Sequence, residues 1–340
     1  MGARMAGRPP LAWSLARQAL FDRCKRRYLL RYYVGWGGWS VDAPPLTRLA
    51  YALGKLTTLQ LALGASIHEA ARDIATAVLN RGPRPTLTEV RTRIRAALNE
   101  VVRSSRDREA FLAQPRINPM LQEVYYGGAL TKEAISRTSE RLDLCTEALV
   151  RSSLWGELAV LPASAILLVD NLELHQFDDT PVYAAPDLAY LSGPDTATIV
   201  DFKTGGAREE DIRAQLALYA LAVREKLGDA APSLWRGRAI LLEQDTELIC
   251  ELTATDLEYA RVSVRNGYSA MLAMLLDRET NTPCPPEAFP LTTRRAGCPA
   301  CPYWAICEDE VRGGRSSSRG TNADAAGALT CDAGELRRSE

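Results

Sequence analysis

No apolar run in this 340-residue chain approaches the length needed to cross a bilayer. Arg17 interrupts the only stretch near the start that resembles a secretion signal, so the sequence predicts a cytoplasmic protein without membrane partners. There is no Walker-type Gly-Lys-Ser/Thr loop, no internal repeat and no helicase motif, so any strand unwinding would have to come from a partner. Charge of one sign is lacking too. With 41 Lys and Arg against 42 Asp and Glu the net charge is −1, and no global basic field advertises a polyanion. Histidines number only two. Eight cysteines without a signal peptide do not suggest a disulfide scaffold. The length allows one large domain or two small ones, ample for a core.

What is present centres on residues 182–206. Ala197-Thr-Ile-Val-Asp-Phe-Lys203 is β-branched and apolar and ends in Gly205-Gly206, which predicts a strand. Alternation puts Asp201 and Lys203 on one face and Val200 and Phe202 on the other. Val182–Leu191 reads as a neighbouring strand, joined through Ser192-Gly-Pro-Asp195, a turn composition. Antiparallel pairing across that turn would bring Asp187 beside Asp201. Two carboxylates that close repel unless a cation lies between them. Mg²⁺ or Mn²⁺ takes oxygen ligands and keeps water, which leaves room for a phosphate, and Lys203 would meet developing negative charge. Taken alone, Asp-x-Lys is equally at home on a solvated strand face.

Residues 208–226 predict a helix, acidic at its start and basic at its end, with a stripe of Ile212, Leu216, Tyr219 and Val223. Gln215 and Tyr219 sit four apart and share a face. His68 stands at the margin of another helix whose buried side is Ile67, Ala71, Ile74 and Val78, and its imidazole could complete a metal site. Cys298, Cys301 and Cys307 are spaced to wrap a soft metal centre. A fourth ligand could be Cys284, giving a local Zn²⁺ site, or the distant Cys24, clasping both ends of the chain around an iron–sulfur cluster. Cys145, Cys250 and Cys331 carry no pattern.

Residues 1–60 hold ten basic groups and two acids, interleaved with Tyr28, Tyr32, Tyr33, Trp36 and Trp39. That mixture suits single-stranded nucleic acid through phosphate contacts and base stacking. An amphipathic helix with snorkelling arginines would read the same way. Residues 81–160 are helix-rich, and helices return over about 254–277. From Glu308 on, large apolar groups nearly vanish, so a disordered tail is expected over 311–340.

The ordered set of Cys24, His68, Asp187, Asp201-x-Lys203, Gln215/Tyr219 and the three late cysteines resembles the iron–sulfur branch of the PD-(D/E)XK nucleases. That branch includes the AddB/RecB-type recombination nucleases and the CRISPR-associated adaptation exonucleases. The resemblance runs from about residue 12 to 309, and Cys24-Lys-Arg-Arg-Tyr-Leu-Leu-Arg-Tyr-Tyr33 is similar to that family's opening. It implies an α/β, restriction-endonuclease-like core: a central mixed β-sheet flanked by helices, within one domain over 1–310. Residues 81–160 would be a helical insertion and 284–310 a cysteine-rich segment. It further implies that His68, Asp187, Asp201 and the carbonyl of Phe202 ligate Mg²⁺ or Mn²⁺ and that Lys203 is catalytic. Gln215 and Tyr219 would shape the site or touch DNA, and Cys24, Cys298, Cys301 and Cys307 would hold a [4Fe–4S] cluster. The expected activity is hydrolysis of DNA, exonuclease-like on single strands or ends, alongside a helicase or a CRISPR-adaptation partner. A catalytically silent DNA-binding or scaffold subunit is the alternative.

Overall fold

A strand does form where the β-branched run predicts it, over Thr196–Lys203, in a computed structural model that describes residues 7–313. In chain order the helices α1 (Leu15–Arg23), α2 (Lys25–Leu29) and α3 (Pro45–Leu53) come first. They are followed by α4 (Leu59–Leu79), α5 (Leu87–Ser104), α6 (Arg108–Ala113), α7 (Gln122–Gly127), α8 (Lys132–Arg151) and α9 (Leu154–Ala159). Strands β1 (Ile166–Val169), β2 (Glu173–Phe177), β3 (Thr180–Ala184), β4 (Leu188–Gly193) and β5 (Thr196–Lys203) precede α10 (Glu209–Leu227). Then come β6 (Leu234–Leu241), β7 (Thr246–Leu252), α11 (Ala254–Leu272), β8 (Leu275–Asp277), β9 (Thr282–Pro283) and α12 (Trp304–Val311). The chain divides into two units: residues 56–265, and residues 1–55 together with 266–340.

The larger unit is built on a five-stranded sheet in the order β1-β4-β5-β6-β7. The β5–β6 pair is parallel and the other three are antiparallel, so the sheet is mixed, with α10 as the crossover a parallel pair requires. Val200 and Phe202 of β5 point into one core with Leu188, Tyr190 and Ile240, packed by Ile67 and Ile74 of α4, Ile94 of α5, Leu149 of α8 and Trp155 of α9. The helix-rich segment 81–160 therefore shares the core of the sheet.

Two expectations change. The strand foreseen over Val182–Leu191 is two strands, because Ala185-Pro186-Asp187 interrupts it and Pro186 has no N–H to give a ladder. Its first half pairs with β2 in a separate hairpin. Helix α10 is also buried beyond the single stripe foreseen, at Ala217, Leu218, Ala220, Leu221 and Ala222 as well. It packs both on the sheet and on the β2–β3 hairpin, so two sides are covered. On the sheet side, Gly237 of β6 makes room for Leu216, whose Cδ1 would stand 2.8 Å from a Cβ at 237.

The smaller unit gathers both ends of the chain around an aromatic cluster. Phe21 and Tyr33 pack on Tyr28 with ring centroids at 5.0 and 5.7 Å, and Phe289 lies 6.5 Å from Tyr28. The Tyr33 hydroxyl donates to Asn281 Oδ1 (3.1 Å), and Asn281 Nδ2 to the Pro9 carbonyl (2.7 Å). Many basic groups of the first 60 residues are consumed here. Arg17 lies 4.2 Å from the Tyr32 ring centroid and Lys25 3.0 Å from that of Phe21. Arg26 donates to the Phe289 carbonyl and pairs with Glu310 at 2.8 Å, and Arg31 donates to the Gly54 carbonyl. These four of the ten basic groups thus make cation–π contacts or carbonyl hydrogen bonds within the unit, as the snorkelling alternative expects, while Arg31, like Arg23 and Arg48, stays exposed. Helix α12 runs through Val311, one residue into the tail expected over 311–340, and that tail from residue 314, with Cys331, lies outside the described residues.

Candidate active site

The β4–β5 register pairs Leu188 with Val200, so Asp187, one residue before β4, falls opposite Asp201. The Phe202 N–H donates to Asp187 Oδ2 (2.7 Å), which fixes that carboxylate at the strand end. Its Oδ1 lies 2.9 Å from His68 Nδ1. His68 reaches there because α4 runs close to the turn after β5. A Cβ on Gly64, one helical turn before His68, would stand 3.1 Å from Thr204 Oγ1. Asp187 thus ties a helix to a strand.

Asp201, on the face of β5 opposite Val200 and Phe202, is 3% exposed. Lys203 Nζ stands 2.6 Å from Asp201 Oδ2 and donates to Gln215 Oε1 at 2.6 Å. Gln215 Nε2 donates to Asp201 Oδ1 (3.3 Å) and contacts the Tyr219 hydroxyl at 2.9 Å. Gln215 is therefore the hub of this face, one turn of α10 from Tyr219. The Lys203 ammonium is thus the group set against Asp201 Oδ2, while Gln215 serves Oδ1.

The electrostatics show four charges in mutual range. Burial, and then the neighbouring Asp187, push the Asp201 carboxyl up to about 6, against the pull of Lys203 and His68. Burial presses the His68 imidazole down, but its hydrogen bond and charge contact with Asp187 outweigh this, and its affinity for a proton is raised. Burial, then Asp201, raises the Tyr219 phenol, so it stays a neutral hydroxyl.

A family model for the PD-(D/E)XK nuclease superfamily matches residues 12–308. The chain belongs to that superfamily. No curated protein matches it. Nucleases of the PD-(D/E)XK superfamily use divalent cations such as Mg²⁺ or Mn²⁺, and the residues here fit such an ion. Two carboxylates and an imidazole lie within electrostatic range of one another at one sheet end, and one of the carboxylates is buried. That is a hard, oxygen-rich set with local negative charge to neutralise. As the side chains stand, no three His, Cys, Asp or Glu groups among the described residues close on a single point. Asp187 spends both oxygens on His68 and the Phe202 N–H.

Cys24, Cys298, Cys301 and Cys307 are all free thiols in the smaller unit. Cys24 ends α1 and caps α2, its Sγ accepting from the Arg27 N–H at 3.4 Å. Burial pushes the Cys307 thiol up to about 12, with Cys301 and Cys24 adding to the rise. Burial also raises Cys301; Arg27 opposes the rise, while Cys24 and Cys298 add to it. The distant Cys24 thus lies within electrostatic range of Cys301 and Cys307, although no three of the described cysteines close on a single point.

Sequence reasoning did not single out several residues at the carboxylate site. Arg72 pairs with Asp170 at 3.1 Å, and the Asp170 N–H donates to the Asp187 carbonyl (2.9 Å). Trp155 stacks on Phe202 with centroids 5.8 Å apart, which braces the strand between Asp201 and Lys203. The one signal available was Gly64, four residues before His68 on the same helix face.

Proposed function

We propose that this chain is a metal-dependent deoxyribonuclease that hydrolyses phosphodiester bonds, acting on single-stranded DNA or DNA ends. The observation that carries the reading is the buried Asp201, set by strand register opposite Asp187 and beside Lys203. Asp187, Asp201 and His68, with the Phe202 carbonyl, would hold Mg²⁺ or Mn²⁺. When bound, the cation supplies a Lewis acid at the scissile phosphate. Lys203 keeps a proton donor at the same place, aimed by Asp201 and Gln215, and can meet the charge that builds on phosphate oxygens during attack by water. Gln215 and Tyr219 hold that geometry through their mutual contact.

The four cysteines would bind a [4Fe–4S] cluster with a structural role, since they belong to one unit and the carboxylates to the other. On this reading the chain would belong with the iron–sulfur branch of its superfamily and would work beside a helicase or an adaptation complex that opens the duplex. Zinc at the same thiolates is the competing occupant, and the colour of anaerobically purified protein separates them: brown for iron–sulfur, colourless for zinc.

The deciding experiment is cleavage of labelled single- and double-stranded DNA with Mn²⁺ or Mg²⁺. Wild-type protein should cut and lose activity with EDTA. Lys203→Ala should retain DNA binding but cut at least about a hundredfold more slowly. Wild-type-like cleavage by that variant removes the catalytic assignment, and no cleavage by any preparation leaves a silent DNA-binding subunit.

A further inference from the structure

We propose that Arg141, on α8, is a binding residue for a backbone phosphate adjacent to the scissile one. The inference rests on the nuclease reading above and assigns the helix-rich segment a direct role in holding substrate.

Arg141 is mostly buried, at 19% side-chain exposure. Its Nη2 donates to the Thr204 carbonyl and lies 3.2 Å from Glu243 Oε2. Its Nε is buried with no hydrogen-bond partner. A guanidinium offers five N–H groups, and here the recorded protein contacts fall on one nitrogen. A buried donor left unpaired is costly, and an acceptor that arrives with the substrate would relieve that cost.

The neighbourhood says which acceptor. Thr204-Gly205-Gly206 follows Lys203 directly, and Gly205 lies within about 7 Å of it along the chain, comparable to the step from one backbone phosphate to the next. A Cβ at Gly205 would meet only the ends of two side chains, Arg141 Nη2 at 3.6 Å and Gln60 Nε2 at 3.8 Å, and at Gly206 it would meet nothing. Two side-chain donors from different helices therefore converge on backbone that carries no side chain to block approach. Glu243, 32% exposed, is the acid that a phosphate would replace. A phosphate offers two oxygens to a guanidinium fork and gives the stronger, bidentate contact.

The test is binding of a single-stranded oligonucleotide to the full chain in EDTA, titrated over a range of salt concentrations. Loss of one phosphate contact lowers the slope of log K against log[salt] by about 0.7 for a single strand. Arg141→Gln should show that drop and bind roughly three- to tenfold more weakly, whereas Arg141→Lys should keep the wild-type slope. Glu243→Gln should bind more tightly than wild type, because the competing carboxylate is gone. A residue that merely braces the Thr204 turn would leave the slope unchanged in Arg141→Gln and would make Glu243→Gln neutral or weaker. Either result overturns the proposal, and should Arg141→Gln fail to fold, the other two variants decide it. If wild type cuts DNA yet these slopes do not move, only this inference falls. Failure of wild type to bind DNA removes the nuclease reading with it.

Discussion

The two units assemble their candidate sites in opposite ways. In the sheet unit, Asp187, Asp201 and Lys203 come from consecutive strands, and one antiparallel register sets them beside each other. In the other unit, the proposed thiol site would require Cys24 to meet Cys298, Cys301 and Cys307 across nearly the whole sequence. A local hairpin closes a short loop at small entropic cost, whereas closing a loop of that length requires compensating contacts. The aromatic cluster of Phe21, Tyr28, Tyr33 and Phe289, and the hydrogen bonds of Asn281, provide them. The comparison teaches that the carboxylate site is a product of the sheet, while the proposed thiol site would be part of what holds its own unit together.

The largest effect should come from the thiol side. Cys301→Ser is expected to remove the metal centre and lower the stability of its unit by at least about 3 kcal/mol, since binding energy at such a site is folding energy. Calorimetry should show that transition moving while the transition of residues 56–265 stays. An unchanged melting curve, with the colour retained, would sink the contrast between the two sites.

A smaller effect of opposite sign should come from Asp201→Asn. Burial lifts the Asp201 carboxyl to about 6 in the folded protein, above its unfolded value, so the ionised group destabilises the fold. Above pH 6 both states are ionised and the folded state bears the full burden. As pH falls from 6 towards about 4, the folded protein takes up the proton first and the burden disappears. Asp201→Asn should therefore abolish cleavage yet raise the melting temperature of EDTA-treated protein by a few degrees at neutral pH, with the gain gone near pH 4. A variant less stable than wild type at pH 7 would show that the Lys203 ion pair outweighs burial.

How much of this was legible beforehand follows from the same distinction. Period-two alternation and the Ser192–Asp195 turn place Asp187 opposite Asp201 without any tertiary knowledge, and α10 follows from charge and periodicity. Pro186 marked the break in the preceding strand but was read through. The burial of α10 on a second side was hidden, because it depends on where the β2–β3 hairpin lands. Arginines at 17, 26 and 31 looked like a nucleic-acid surface, since sequence does not tell whether a cation faces a phosphate or the ring of its own Tyr32. Arg141 carried no signal at all, as its partners Thr204 and Glu243 lie on distant segments.

The smallest effect sharpens the comparison by showing what an ordinary ion pair contributes in the sheet unit, away from either site. Arg213 of α10 grips Asp256 at the start of α11 with two hydrogen bonds, Nε to Oδ1 at 2.8 Å and Nη2 to Oδ2 at 2.7 Å. Asp256 also accepts from the Thr253 N–H and hydroxyl, both at 2.7 Å, so it caps the helix as well. These contacts, Arg213 foremost, hold its carboxyl well below the usual carboxylate range. A depressed folded value means stability that is present above about pH 4 and lost as pH falls further, when the unfolded chain takes up the proton first. Arg213→Ala should cost about 1 kcal/mol at pH 7, modest because Arg213 is partly solvated and salt screens the pair. In urea titrations, the gap between variant and wild type should narrow steadily from pH 4 downwards. A gap independent of pH would mean that Arg213 contributes packing of its aliphatic stem against β7 and α11, with its charge contributing little.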